Sequence, residues 1–173
     1  SVGTIKKIKR IAKIIIDYKK RNYKVIVVSS AMSGVTNELI KKSFEISDSF
    51  SESEHDVLVS SGEQVSCSLI AGRLIHEGYE SRSWLSWQVP ILTKGKYKNS
   101  RINQINKKNI TKYLKKGGIP IVTGFQGLND ENRITTIGRG GSDASAIMIA
   151  KFFKAERCII YTDVEGVYTT DPN

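Results

Sequence analysis

The chain has 173 residues, of which 39% are hydrophobic and 25% are charged, with only 3 prolines. This length and composition fit one globular domain with a sizeable core, and they exclude disorder and collagen-like structure. The formal net charge is +10, but the lysines are not interleaved with aromatic residues and no apolar run approaches the ~18 residues of a membrane span, so we expect neither nucleic acid nor a membrane as partner.

Hydrophobic spacing divides the chain into alternating helices and strands. Isoleucines recur at helical spacing over 4–21, with Thr4 as the N-cap, and a β-branched run over 24–29 predicts a buried strand. The elements predicted to follow are a helix capped by Thr36 and ending near Ile46, a serine-rich loop over 47–55, a helix over 56–76, a strand over 81–85, an extended segment from Pro90, a helix over 109–116, a strand over 119–124, a hairpin through 129–132, a helix capped by Ser142 and ending near Ala155, and a strand over 157–162. This alternation predicts an α/β domain with a mostly parallel sheet between helical layers.

The two cysteines, Cys67 and Cys158, lack the spacing of a zinc site or a redox pair. Each lies in an apolar stretch, so we expect both to be buried, reduced thiols, which is typical of a cytoplasmic protein. The histidines, His55 and His76, are far apart in the sequence, and we expect both at the surface.

The segment over 136–143, TIGRGGSD, has the composition of an anion-binding loop. Its glycines let backbone N–H groups approach an anion, and the helix predicted to follow points its positive end at the same place. Arg139 is suited to bidentate capture of a carboxylate, and Asp143 lies in the first helical turn. The simpler alternative is a glycine-rich turn capped by Ser142 that binds nothing, because glycine-rich loops are common. The loop is not a Walker A motif, since the Lys-Ser/Thr ending is absent.

Three further segments carry polar groups at positions that suit a ligand. Ser30 and Thr36 follow a buried strand at its carboxyl end, where ligands bind in open α/β sheets. Glu63 interrupts a helix of apolar and small residues, and its carboxylate is suited to accept a hydrogen bond from a substrate ammonium. The segment over 160–172 combines a strand end and a turn suited to hold an adenine or a ribose. Each pattern is also compatible with a simple turn, cap or surface role.

Five strings occur together in one order: VIVVSSAMSGVTNEL, SSGEQVS, PIVTGFQG, TTIGRGGSDASA and YTDVEGVYTTDP. In this combination they resemble the aspartate kinases of the amino-acid kinase superfamily, over essentially the whole chain. The resemblance implies a three-layer α/β/α sandwich and transfer of the γ-phosphoryl group of ATP, which carries Mg²⁺, to the side-chain carboxylate of L-aspartate. It also implies a cytoplasmic enzyme that opens the route to lysine, threonine, methionine and diaminopimelate, and a homo-oligomer in the complete protein.

The family pattern also implies roles for the residues that match it. Thr36, Glu63 and Arg139 contact aspartate, Arg139 through the α-carboxylate, and Asp143 organises the transition-state charge. The residues expected to contact phosphate or nucleotide are Ser30, Gly140, Gly141, Ser142, Thr162, Asp163 and Tyr168. The resemblance implies no metal ligands of the protein itself. Acetylglutamate, glutamate 5- and uridylate kinases are the rival substrate classes within the superfamily.

Two departures from the family pattern bear on activity. The family begins with a strand carrying Lys-Phe-Gly-Gly-Thr, whose lysine neutralises phosphate charge, whereas this chain opens at Ser1-Val-Gly. The family usually has arginine after Thr-Asp-Pro, and here that residue is Asn173. We therefore expect an amino-terminal catalytic domain truncated at both ends, without an ACT domain and with weak or no turnover. The alternative is a degenerate, non-catalytic remnant that binds nucleotide or a partner chain.

Overall fold

The computed structural model of the chain describes residues 2–138 and 140–162. Within these ranges the helices are α1 (Ile5–Lys20), α2 (Val35–Ile46), α3 (Glu52–His76), α4 (Lys108–Lys115) and α5 (Gly141–Phe153). The strands are β1 (Val27–Ser29), β2 (Ser81–Trp84), β3 (Ile91–Lys96), β4 (Asn99–Ile105), β5 (Ile119–Thr123), β6 (Gln126–Leu128) and β7 (Ile134–Thr136). None of these helices combines the length and the apolar character that crossing a membrane requires.

The strands form two sheets. In the first, β5 lies between β1 and β2, and all three strands are parallel. The second sheet has the order β4-β3-β6-β7 and is mixed, because β3 and β6 are parallel whereas the β3–β4 and β6–β7 pairs are antiparallel. The β6–β7 pair is the hairpin that the sequence predicts.

Helices cover both faces of the parallel sheet. All residues of β5 are buried, and its side chains alternate between two cores because successive strand residues point to opposite faces. Ile119 and Ile121 pack with residues of α1 and α3. Val122 packs with residues of α4 and α5 on the other face. The predicted three-layer α/β/α sandwich is therefore confirmed.

The starts of three helices test the predicted N-caps. Thr4 caps α1 as predicted, since its Oγ1 accepts a backbone N–H of the first turn at 3.2 Å. The predictions for Thr36 and Ser142 are wrong. Glycines hold those positions in the left-handed conformation, Gly34 with a φ of 82° before α2 and Gly140 with a φ of 74° before α5. Thr36 and Ser142 therefore lie in first helical turns, where backbone N–H groups have no partner within the helix.

Two elements differ in extent from their predictions. α3 begins at Glu52 and not at Asp56, because Glu52 and Glu54 suit the positive end of a helix. The loop before it is correspondingly shorter. A hairpin of β3 and β4 replaces the single extended segment expected from Pro90. Several residues of both strands are exposed, so they lack the continuous apolar character that marks β5 in the sequence.

The strand predicted over 157–162 is wrong. These residues are exposed and have no regular secondary structure, although their apolar run is typical of a strand. Cys158 is consequently exposed, whereas Cys67 is buried as expected. His76 is exposed as expected, but His55 is half-buried at the start of α3.

Candidate functional site

The carboxyl ends of β1 and β5 meet at one edge of the parallel sheet. The strands pair in register from Val27 beside Ile121 to Ser29 beside Thr123. Beyond them, the N–H of Gly124 donates to the carbonyl of Ser29 at 2.9 Å. Because ligands of open α/β sheets bind beyond the carboxyl ends of the strands, this edge is the candidate site.

Helix α3 approaches this edge closely because it carries Gly62. A Cβ atom at Gly62 would stand 2.8 Å from the Cβ of Ala31, closer than side chains normally come. Without that side chain, α3 presents Glu63 to the loop after β1, where Oε1 accepts the N–H of Ala31 at 3.0 Å. Glu63 and Ser30, both predicted as site residues, therefore meet at this loop.

The carboxyl group of Glu63 is buried and only half satisfied. The residue is 2% exposed, and its Oε2 has no hydrogen-bond partner among the described residues. Burial raises the pKa of Glu63 from 4.5 to about 7, against the opposing effect of the Ala31 hydrogen bond. A buried acceptor without a partner is costly, so this oxygen suits a ligand that brings a donor and a positive charge.

Serine hydroxyls hold the loop after β1 against α3. Ser66 Oγ donates to the carbonyl of Ser30 at 2.7 Å, and it lies 3.0 Å from the hydroxyl of Ser29. Cys67, the next residue of α3, is fully buried. Burial and the nearby Glu63 raise the pKa of the Cys67 thiol, so this thiol stays neutral and structural.

The start of α5 is fixed to the end of β5. A Cβ atom at Gly124 would lie 3.0 Å from the Cβ of Ser142, so glycine permits the close approach. One turn into α5, Ser145 Oγ accepts the N–H of Phe125 at 3.0 Å and donates to the carbonyl of Gly141 at 2.7 Å. The glycine loop that precedes α5 is thereby held at the same sheet edge as Glu63.

The N-terminus of α5 presents backbone N–H groups that have no partner among the described residues. Among the hydrogen bonds between described residues, none is donated by the amides of Gly140, Gly141 or Ser142. Gly140 is exposed, with open space where a Cβ atom would stand. Asp143 is exposed in the first turn. Unpaired N–H groups and the positive end of the helix dipole suit a phosphate, provided that other groups at the edge bring the ligand there.

The structure describes only some of the remaining predicted site residues. Arg139, Asp163 and Tyr168 lie outside the described residues. Thr162 is exposed at the end of the second described range. Thr36 is half-buried in the first turn of α2, and its neighbour Val35 lies 3.3 Å from a Cβ atom built on Gly62. The structure therefore places Thr36 on a helix that packs beside Glu63.

Four polar residues that the sequence analysis does not identify are fully buried at this edge or in the elements packed beside it: Asp56, Ser66, Gln126 and Ser145. Gln126 Nε2, for example, donates to the carbonyl of Ser60 on α3 at 2.9 Å. Asp56 had a usable signal, because it precedes an apolar run within a predicted helix and an acidic residue is rarely buried without partners. The sequence gives no such signal for the two serines and the glutamine, since serine and glutamine are also common on protein surfaces.

A surface cavity of about 550 Å³ lies elsewhere, between β2 and α4. Its lining includes Arg82, Trp84 and Lys112 but none of the predicted site residues. Trp84 belongs to the core on the face opposite α1 and α3, and Arg82 lies over its ring at 4.3 Å. This cavity is separate from the edge that carries Glu63, so it adds nothing to the candidate site.

Comparison with known proteins finds relatives that match this chain almost from end to end. The sequence pattern of the amino acid kinase family matches residues 1–173. An aspartokinase of Rickettsia conorii is 48% identical over 99% of this chain, which covers 44% of that protein. The chain therefore spans less than half the length of such relatives.

Two solved structures share the fold. An aspartate kinase from Synechocystis has a TM-score of 0.82 and 38% identity, over 99% of this chain and 28% of that one. Aspartokinase III of E. coli, in complex with aspartate and ADP, has a TM-score of 0.84 at 24% identity, over 99% of this chain and 49% of that one. With the family pattern matched from end to end, the chain belongs to the amino acid kinase family.

Proposed function

We propose that the protein carrying this chain is an aspartate kinase. The reaction breaks the bond between the γ-phosphorus of ATP and the β–γ bridging oxygen, and it forms a bond from that phosphorus to a side-chain carboxylate oxygen of L-aspartate. The products are 4-phospho-L-aspartate and ADP. Membership of the amino acid kinase family supports a kinase, and 48% identity to an aspartokinase supports this acceptor.

The unpartnered Oε2 of Glu63 is the observation that carries the choice of substrate. An α-ammonium group supplies both the donor and the positive charge that this buried oxygen lacks. Uridylate offers no ammonium group, and the nitrogen of acetylglutamate is an uncharged amide. The carboxyl group therefore favours a free amino acid over those two substrates.

Aspartate would be held from three sides. Glu63 takes the ammonium group, Arg139 takes the α-carboxylate through a bidentate pair, and Thr36 adds a hydroxyl from the first turn of α2. Fixing the substrate at both charged groups of its backbone leaves the side-chain carboxylate as the free nucleophile. Such positioning is the main contribution a protein makes to phosphoryl transfer.

The phosphates of ATP fit the glycine loop and the loop after β1. The amides of Gly140, Gly141 and Ser142 are donors for the transferring group, and Ser30, in the loop after β1, is a further proposed phosphate contact. Asp143, in the first turn of α5, organises charge in the transition state. Bound with the nucleotide, Mg²⁺ would supply neutralisation of the phosphate charge. Donors aimed at developing charge lower the barrier without having to reorganise.

The base and ribose of the nucleotide are assigned to the carboxyl-terminal part of the chain. Thr162, Asp163 and Tyr168 are the proposed contacts. This assignment rests on the resemblance of YTDVEGVYTTDP to the family pattern.

The wider setting is also a proposal. The chain is part of the catalytic domain of a cytoplasmic homo-oligomer, and the acyl phosphate it forms opens the route to lysine, threonine, methionine and diaminopimelate. Since the chain spans 44% of a matched relative, we propose that the 173-residue chain alone turns over weakly or not at all.

The test is trapping of the acyl phosphate by hydroxylamine, in the full-length protein with ATP, Mg²⁺ and L-aspartate. The expected result is aspartyl hydroxamate that depends on ATP. Hydroxamate from L-glutamate alone would assign the protein to another member of the family. Binding of ATP without any turnover would favour the non-catalytic alternative.

A further inference from the structure

Asp56 is the most completely bonded carboxylate among the described residues. It is 0% exposed. Its Oδ2 accepts the N–H of Thr136 at 2.7 Å and that of Lys98 at 3.0 Å. Its Oδ1 accepts the hydroxyl of Thr136 at 2.8 Å and lies 3.5 Å from Nδ1 of His55. A buried acidic side chain with this many backbone donors holds separate chain segments together.

Asp56 bonds to two segments that lie next to the glycine loop, namely the end of β7 and the turn between β3 and β4. Thr136 is the last residue of β7, directly before Ile137 and Gly138. Lys98 lies in the turn between β3 and β4. That hairpin contacts the same stretch, because Ser100 forms a β-bridge with Ile137. Asp56 therefore fixes both the chain that enters the loop and the hairpin packed beside it.

Asp56 shares helix α3 with Glu63, about two turns away. The two carboxylates face different partners: Glu63 contacts the loop after β1, and Asp56 contacts the end of β7. Between them, the carbonyl of Ser60 accepts a hydrogen bond from Gln126 of β6 at 2.9 Å. One rigid helix thus sets the distance between the ammonium site and the glycine loop.

We propose that Asp56 is a positioning residue of this site, which fixes the glycine loop relative to Glu63 through its bonds to Thr136 and Lys98. The proposal rests on the proposed function for its effect on turnover, but not for its effect on the loop. A displacement of about 1 Å at a reacting group costs on the order of a hundredfold in rate. Loss of the anchor is therefore expected to lower kcat more than it raises KM.

Two substitutions of Asp56 separate positioning from charge. Asp56→Asn can turn its amide so that the oxygen accepts both backbone N–H groups and the NH₂ donates to the hydroxyl of Thr136. Asp56→Ala leaves both N–H groups without an acceptor. In the full-length protein, Asp56→Ala is expected to lower kcat on the order of a hundredfold, and Asp56→Asn is expected to restore most of that loss.

Thr93→Val is the matched control. Thr93 is 2% exposed, and its hydroxyl lies 2.6 Å from that of Thr135 in the adjacent buried network. It makes no hydrogen bond to Asp56. A stability loss without a fall in kcat is expected for this variant, whereas a fall in kcat equal to that of Asp56→Ala would reduce the role of Asp56 to core stability and overturn the proposal.

Hydrogen exchange supplies a readout that does not depend on turnover. In Asp56→Ala, the amide of Ile137, which donates to the carbonyl of Phe125 at 2.8 Å, should exchange at least ~10 times faster while those of α1 stay unchanged, and Asp56→Asn should reverse this. Should Asp56→Ala fail to fold, Thr136→Val removes one bond and Thr136→Ser keeps it, so only the first should loosen the loop. Unchanged exchange of the Ile137 amide would overturn the proposal. Failure of the wild-type protein to form hydroxamate would instead contradict the proposed function, and exchange would still decide the role of Asp56.

Discussion

Gly62 lies so close to Ala31 that a Cβ atom on it would stand 2.8 Å from the Cβ of Ala31. This contact sets how near α3 comes to the loop after β1, and so whether Glu63 reaches the Ala31 amide. The distance between a helix and a loop is thus controlled by the absence of one side chain.

Gly62→Ala should push α3 away from the loop. We expect a loss of about 1–3 kcal/mol in the free energy of unfolding from the overpacking, together with a raised KM for aspartate. Gly72→Ala on the same helix is the control, because a Cβ atom there meets nothing within 4 Å. It should stabilise the protein by up to about 1 kcal/mol through helix propensity. Equal effects of the two substitutions in denaturant unfolding would contradict this account.

Glu63 should make stability depend on pH. Its pKa is raised from 4.5 in the unfolded chain to about 7 in the fold, so its contribution is fully present below pH 4.5 and is lost as the pH rises through about 7. Glu63→Gln removes this ionisation. As the pH rises from 4.5 through about 7, the free energy of unfolding of Glu63→Gln should therefore increase relative to that of the wild type, by at most about 3 kcal/mol at pH 8. Urea unfolding at several pH values measures the difference. Gln64→Ala, the control, should shift stability by the same amount at every pH.

Ser145→Ala should loosen the junction of β5 and α5. Ser145 is fully buried, and it accepts the N–H of Phe125, whose φ is 66°. Leaving that N–H without an acceptor should cost about 1–3 kcal/mol. Ser68→Ala removes a comparable hydroxyl from an exposed site on α3 and should change stability by less than about 0.5 kcal/mol. Equal losses of stability in Ser145→Ala and Ser68→Ala, measured by thermal unfolding, would contradict a stabilising role for the hydrogen bond from Phe125 to Ser145.

Gly140→Ala should damage catalysis more than stability. Gly140 has a φ of 74° and open space around it, and Gly78, after α3, has a φ of 83° and equally open surroundings. Alanine at either position should cost about 1–2 kcal/mol in the left-handed conformation. Only Gly140→Ala should lower kcat, because of the two glycines only Gly140 is proposed to contact the transferring phosphate through its amide. A kcat loss of the same size in Gly78→Ala would argue that backbone strain alone is responsible.

The fold was predictable wherever the hydrophobic pattern and the positions of the glycines indicate the same helix or strand. β5 is an unbroken apolar strand, and it proved to be the buried centre of the parallel sheet. The β3–β4 hairpin was missed because exposed strands carry mixed polar residues. The strand predicted over 157–162 failed for the opposite reason, since an apolar run predicts burial but not the neighbour that it must pair with.

The site was predictable only in part, because its geometry depends on contacts between segments far apart in sequence. The spacing in SSGEQVS marks Glu63 as unusual, but nothing in it shows that one carboxylate oxygen finds a partner and the other does not. Asp56 illustrates the same limit, since both of its backbone donors come from other strands and turns. The roles proposed for the site residues stay predictions, and Arg139, Asp163 and Tyr168 also lie outside the described residues.

The proposed pairing of Glu63 with a substrate ammonium is tested most directly by comparing L-aspartate with succinate, which keeps both carboxylates and lacks the amino group. Calorimetry on the full-length protein should show wild type preferring L-aspartate by at least about a hundredfold, because succinate leaves a buried carboxylate unpaired. In Glu63→Gln that preference should fall at least about tenfold, which is the ~1.4 kcal/mol of one weakened charged contact. An unchanged ratio in Glu63→Gln would contradict the account, since it would place the ammonium group on another residue.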